Sequence, residues 1–225
     1  MQKSKRKRIT QNRIKIGLLI LILATFSLGV LKIFKPDLFK SAETQEYQEN
    51  NSDLIEYHRP EIDVRLLSVN PYSRPEIASH KINNIVIHYT ANPGSDAVSN
   101  RDYFEGLKDT HTTKASSHFI VGLTGEIVQC VPTWEIAYAS NNRNMDTVSM
   151  ETCHPDETGS YTKETYASMV ELSAWLCLKF DLKETDIIRH YDVTQKICPK
   201  YFVDDEDAWA QFKEDVKIKL ETMQK

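Results

Sequence analysis

INNIVIHYT, residues 82–90, decides how the rest of the chain is read. It is a short β-branched apolar run without polar alternation, the pattern of a strand covered on both faces. A strand of that kind needs helices on each side of its sheet. SHFIVGL (117–123) and EIVQCV (126–131) flank Thr124-Gly125, which predicts a hairpin. DTVSMETC (146–153) predicts a further strand, and DIIRHYDV (186–193) one that runs into a loop. Thr162 is placed to cap a helix over 163–180, with Tyr166, Met169, Val170, Ala174 and Cys177 on one side. Asp204 or Asp205 can cap a last helix, in which Trp209, Phe212, Val216, Leu220 and Met223 recur every three or four residues. Strands interleaved with helices predict an α/β (α+β) domain with a mixed central sheet flanked by helices, over residues 61–225.

The remaining residues of the 225 lie before that domain. Residues 35–60 are polar and acidic without sustained periodicity, and read as a stalk or linker. Residues 16–31, IGLLILILATFSLGVL, carry no charge, and Ile33 and Phe34 extend the run. As a helix, 16–34 spans roughly 28 Å, close to the hydrocarbon thickness of a bilayer. Residues 1–15 hold seven Lys or Arg and no acid, so they are expected in the cytoplasm. This predicts one N-terminal transmembrane helix in the cytoplasmic membrane and the remainder of the chain outside the cell. The alternative is secretion after signal cleavage near Ser27-Leu28-Gly29.

The chain's net charge is −4, so the seven N-terminal cations leave −11 on residues 16–225. That argues against a nucleic-acid partner, which needs a basic folded part. Seven Gly and eight Pro exclude a fibrous chain, and four Cys are too few for a disulfide-built scaffold. Cys130, Cys153 and Cys177 read as unpaired apolar fillers, with a disulfide among them left open.

Three side chains stand out chemically. His88 ends the buried run, His190 follows the strand-like Ile187-Ile188, and Cys198 sits eight residues later, before Pro199. Two imidazoles and a thiolate can form a three-ligand zinc site with an open fourth position. The bland reading is two hydrogen-bonded strand-end histidines and a buried Cys. Glu151 is a carboxylate in an otherwise uncharged strand, costly unless paired or functional, or else a surface residue on an edge strand. Lys196 lies two residues before Cys198 and either faces the same site or is an ordinary surface residue. Trp134 and Tyr138 precede the Asn141-Asn142-Arg143-Asn144 loop and read as a possible substrate-binding cleft wall, or as packing beneath a loop. His154 is expected in a turn, facing away from Glu151.

From Val64 to Val216 the chain resembles the zinc-dependent N-acetylmuramoyl-L-alanine amidases of the amidase-2 class, relatives of phage amidase-type lysozymes and peptidoglycan-recognition proteins. The motifs are IVIHYTANPG (85–94), ASSHFIVGLTGEIVQCVP (115–132), DTVSMETCHPD (146–156) and IIRHYDVTQKICPKYF (187–202). The resemblance implies a zinc cleft on one face of the sheet, with Zn2+ held by His88, His190 and Cys198. It implies Glu151 as general base and acid and Lys196 as oxyanion stabiliser. Ser117 stands where phage-type members carry a catalytic Tyr, which gives Glu151 more weight. His118 has two readings, a cleft-lining substrate contact and a hydrogen-bonded structural residue. The implied substrate is the amide between the lactyl group of N-acetylmuramic acid and L-alanine in bacterial peptidoglycan. With a membrane anchor, such an enzyme acts on its own cell's wall. The alternative is a non-catalytic peptidoglycan-binding sensor of the same fold, which the presence of Glu151, Lys196 and Cys198 disfavours.

Overall fold

The computed structural model describes residues 51–225. Its sheet contains β1 (Asp63–Val64), β2 (Asn84–Ile87), β3 (Phe119–Val121), β4 (Ile127–Gln129), β5 (Thr147–Thr152) and β6 (Ile187–Arg189). Their order is β1-β4-β3-β5-β2-β6. Only β3 and β4 pair antiparallel, so the sheet is mixed, as the sequence predicts. Gly125, at φ +87°, turns that hairpin; a side chain there would press on Ser168 Oγ and the Glu164 carbonyl. β2 lies between two parallel neighbours, β5 and β6, which is why Ile85, Val86 and Ile87 are all sealed from water.

The pleat sorts the apolar side chains into two cores. Ile85, Ile87, Phe119, Val121, Val148 and Met150 face one side and pack with α3 (Lys163–Phe180) and α6 (Glu206–Met223). Ile120, Val128, Cys130 and Cys153 face the other, with Leu67, Phe104 and Leu107. Phe104 and Leu107 belong to α2 (Ala97–Thr110), a helix the sequence reading does not include. Asp96 caps it, accepting from Ser99 N. Its buried residues Ala97, Asn100, Phe104 and Leu107 recur every three or four positions, but polar neighbours dilute the stripe.

Thr162 caps α3 by accepting from Thr165 N, and Asp205 caps α6 by accepting from Ala208 N. In α6 the buried set is Trp209, Phe212, Val216, Leu220 and Met223, the expected stripe. In α3 burial is wider than one side: Leu172 to Leu178 are all covered, because this helix is pressed between the sheet and α6. After β6 the chain forms a short helix, α4 (His190–Thr194), where a loop is expected; Asp192 accepts from Arg189 N at its start. Another, α5 (Lys200–Asp204), precedes α6. All four cysteines are buried and free.

The expected basic segment 1–15, the membrane span 16–34 and most of the 35–60 linker lie outside the described residues. Among the described residues no helix is long and apolar enough to cross a membrane. The last part of the linker reading needs correction: residues 51–57 are helical (α1). Leu54 and Ile55 pack against the core, and the Ile55 carbonyl accepts from Trp175 Nε1 at 2.8 Å. Two adjacent apolar residues show no period, so nothing in the sequence marks them as part of the domain.

Phe212 is fully buried, with ring centroids of Phe202, Trp209 and Tyr166 at 5.1, 5.6 and 5.8 Å. Phe212→Ala is expected to lower unfolding free energy by about 3–5 kcal/mol in a urea titration. A loss below ~1 kcal/mol contradicts this packing.

Candidate metal centre and active site

Parallel register builds the site. Met150, Ile87 and Arg189 stand side by side on β5, β2 and β6. The next residues, Glu151, His88 and His190, therefore follow in a row across three strands, at the edge where those strands end. Cys198 arrives from the loop after α4, which is held by Tyr191 N donating to the Cys198 carbonyl at 2.8 Å. One ligand atom from each of His88, His190 and Cys198 lies within 4.8 Å of the others. The two imidazole centroids are 4.6 Å apart, and His88 Nδ1 is 3.9 Å from Cys198 Sγ.

The donor set suits a metal. Zinc–nitrogen and zinc–sulfur bonds of about 2.0 and 2.3 Å put tetrahedral ligand atoms roughly 3.3–3.6 Å apart, so a small closure suffices. His190 Nδ1 and Glu151 Oε2 are buried with no hydrogen-bond partner. Buried polar atoms rarely stay unpaired, so each is open to a partner that the fold itself does not supply. Two imidazoles and a thiol form a borderline-soft set that favours zinc over magnesium or calcium.

Burial governs the electrostatics. It pushes the His88 pKa far down, helped by the charges of His190 and Lys196, and lowers that of His190, again helped by Lys196. Both rings are thus neutral, with lone pairs to offer. Burial lifts the Cys198 thiol to about 12, with the Glu151 charge adding to the rise. Burial also lifts the Glu151 carboxyl to about 8, against the pull of the Lys196 ammonium. Lys196 is exposed at the rim, and its charge is felt at all four groups.

The structure therefore gathers His88, His190, Cys198, Glu151 and the charge of Lys196 at one place. His118 is near enough for its charge to help lower the His88 pKa, but its hydrogen bonds go elsewhere. His118 is 1% exposed; its Nε2 donates to the Glu135 carbonyl at 2.9 Å and its Nδ1 accepts from Ser149 N at 3.0 Å. With both nitrogens engaged inside the fold, it fits the reading of a hydrogen-bonded structural residue. Trp134 is misplaced by the cleft-wall reading. It is 68% exposed and lines a groove with Ala78–Ile82, and its carbonyl accepts from Ser79 N. Those residues precede β2, so Trp134 sits at the edge where the strands begin, opposite the cluster. Tyr138 stays close: it is half-buried, two residues before Ser140, with Lys114 Nζ 5.3 Å from its ring centroid. His154 lies in a turn, its Nδ1 donating to the Asp156 carbonyl at 2.7 Å. The sequence reading omits Ser140 and Asn141 as site residues. Ser140 Oγ lies 3.4 Å from His88 Nε2, and Asn141 Oδ1 3.1 Å from His190 Nε2.

Sheet and cluster together define a mixed-sheet domain that can hold a transition metal beside a half-buried carboxylate. The chain belongs to the Amidase_2 family, N-acetylmuramoyl-L-alanine amidase, whose profile matches residues 78–201. The N-acetylmuramoyl-L-alanine amidase CwlL of Bacillus licheniformis is 36% identical over 163 residues, covering 67% of this chain and 45% of that protein. BlyA of Bacillus subtilis (strain 168), also named as such an amidase, is 31% identical over 175 residues, 68% of this chain and 46% of that one. The chain thus spans about half the length of the curated relatives it matches. A mutant endolysin from Bacillus subtilis, 24% identical, shares the fold with a TM-score of 0.60 over 70% of this chain and 99% of its own.

A carboxyl held at about 8 when folded keeps its proton where the unfolded chain, near its usual 4.5, loses it. Its contribution to stability is complete below about pH 4.5 and is lost as pH rises through about 8. In the metal-free protein, Glu151→Gln removes that loss. The stability advantage of the variant over its parent is expected to grow by on the order of 2 kcal/mol from pH 4.5 to 8, after allowing for residual solvent access. Denaturant titrations at several pH values measure it; an offset that does not change with pH contradicts the raised carboxyl.

Proposed function

We propose that the protein is a zinc-dependent amide hydrolase of bacterial peptidoglycan, cutting between the N-acetylmuramoyl lactyl carbonyl and the nitrogen of L-alanine. The observation that carries the reading is the convergence of His88, His190 and Cys198 ligand atoms within 4.8 Å, in line with Glu151 across the sheet. Family membership supports the bond and the substrate. His88 and His190 supply neutral nitrogens, and Cys198 supplies sulfur once a cation offsets the burial that keeps it protonated. When bound there, zinc supplies a Lewis acid that makes water nucleophilic near neutral pH.

Glu151 Oε2, which has no partner within the fold, accepts the proton of the attacking water and returns it to the departing L-alanine nitrogen. One water is consumed, leaving a lactyl carboxylate and a free amine. Lys196, on the exposed rim, meets the negative charge that develops on the amide oxygen. Half-buried Tyr138 is the remaining candidate to line the substrate path. The reading of 16–34 as a single-pass anchor rests on the sequence alone, and it puts the domain on the outer side of the cytoplasmic membrane, where the substrate is.

Digestion of purified peptidoglycan by the full chain, followed by mass analysis, tests the reaction. New L-alanine amino termini are expected, lost with a chelator and regained with zinc; cleaved sugar linkages contradict the reading. Glu151→Gln should lower turnover by about 10²–10⁴ with zinc still bound, and Lys196→Ala by about 10²–10³. Near-parental activity in either variant removes that residue from the chemistry.

A further inference from the structure

Ser140 and Asn141 are consecutive, and each reaches the outer nitrogen of a different imidazole: Ser140 Oγ lies 3.4 Å from His88 Nε2, and Asn141 Oδ1 3.1 Å from His190 Nε2. A carboxamide oxygen only accepts, so His190 Nε2 carries the hydrogen and donates it. That leaves the lone pair on His190 Nδ1, the atom buried without a partner. The same tautomer at His88, donating to Ser140 Oγ, turns the lone pair of its Nδ1 to Cys198 Sγ, 3.9 Å away. The turn that carries both residues is tied down. Asn144 Oδ1 accepts from Ala139 N and Ser140 N, Arg143 pairs with Asp146 and donates to Asn84 Oδ1, and Thr147 Oγ1 donates to the Arg143 carbonyl. Asn141 itself sits at φ 55°, a left-handed conformation that Asn tolerates and most residues do not.

We propose that Ser140 and Asn141 are positioning residues that fix the tautomer and orientation of both ligating histidines, so that each offers Nδ1 to the metal. One two-residue step presets two of the three ligands before any ion arrives. The inference rests on the reading of this cluster as a zinc site.

The left-handed φ supplies a clean test. Asn141→Gly keeps the backbone and removes the acceptor; Asn141→Asp keeps the acceptor. Zinc affinity of the full chain is measured by competition with a chromogenic chelator, alongside the absorption spectrum of the cobalt-substituted protein. Asn141→Gly is expected to bind zinc about 10–100-fold more weakly and to alter the cobalt spectrum, with Asn141→Asp within about threefold of the parent. Ser140→Ala should weaken binding in the same direction. Parental zinc affinity in Asn141→Gly overturns the proposal, as does an Asn141→Asp variant no tighter than Asn141→Gly. A parent chain that binds no zinc overturns the metal reading itself, a different result from a parent that binds while both variants match it.

Discussion

The register of β5, β2 and β6 is the constraint on which the site depends. Those strands run parallel and adjacent, so residues far apart in the sequence come level without any loop having to aim them. Ile87 is level with Met150 and Arg189, and the following residues become His88, Glu151 and His190 in one row. A slip of one residue turns a strand's side chains to the opposite face. It would send His88 into the α3 core and Ile87 to the face where His88 now stands. The apolar faces of β2 and β5, packed under α3 and α6, therefore hold that row in place as well as stabilising the fold.

Burial sets the chemical character of that row. Without a cation the preferred state is neutral throughout: imidazoles unprotonated, Cys198 a thiol, and Glu151 a carboxylic acid. Such a cluster leaves Glu151 Oε2 and His190 Nδ1 unpaired, an arrangement that ordinary packing does not favour. A divalent ion changes the balance by favouring the thiolate and the carboxylate together. On the proposed function, metal uptake and readiness of Glu151 as the base are one electrostatic event, and the Lys196 charge acts in the same direction on Glu151 and Cys198.

Much of this was legible in the sequence, and the limits have physical causes. Strands β2 and β5 and helix α6 announce themselves because burial on one or both faces imposes a repeating apolar pattern. His88, Glu151, His190 and Cys198 stand out because polar groups are costly in such surroundings. Helix α2 escaped because polar residues interrupt its stripe, and the packing of Leu54 and Ile55 because two residues carry no period. His118 and Trp134 show the limit for single residues. The pattern cannot say which buried His is satisfied by backbone, and it cannot say at which end of a sheet an aromatic residue emerges. Ser140 and Asn141 had no signal of their own, since an Asn-rich turn reads the same whether or not it touches a ligand.

His88, His190 and Cys198 form the proposed three-residue metal centre. X-ray absorption at the zinc edge on the purified full chain tests it most directly. One zinc per chain is expected, with two nitrogen scatterers at about 2.0 Å and one sulfur at about 2.3 Å among its neighbours. A zinc shell without sulfur, or a chain that retains no stoichiometric metal, contradicts it.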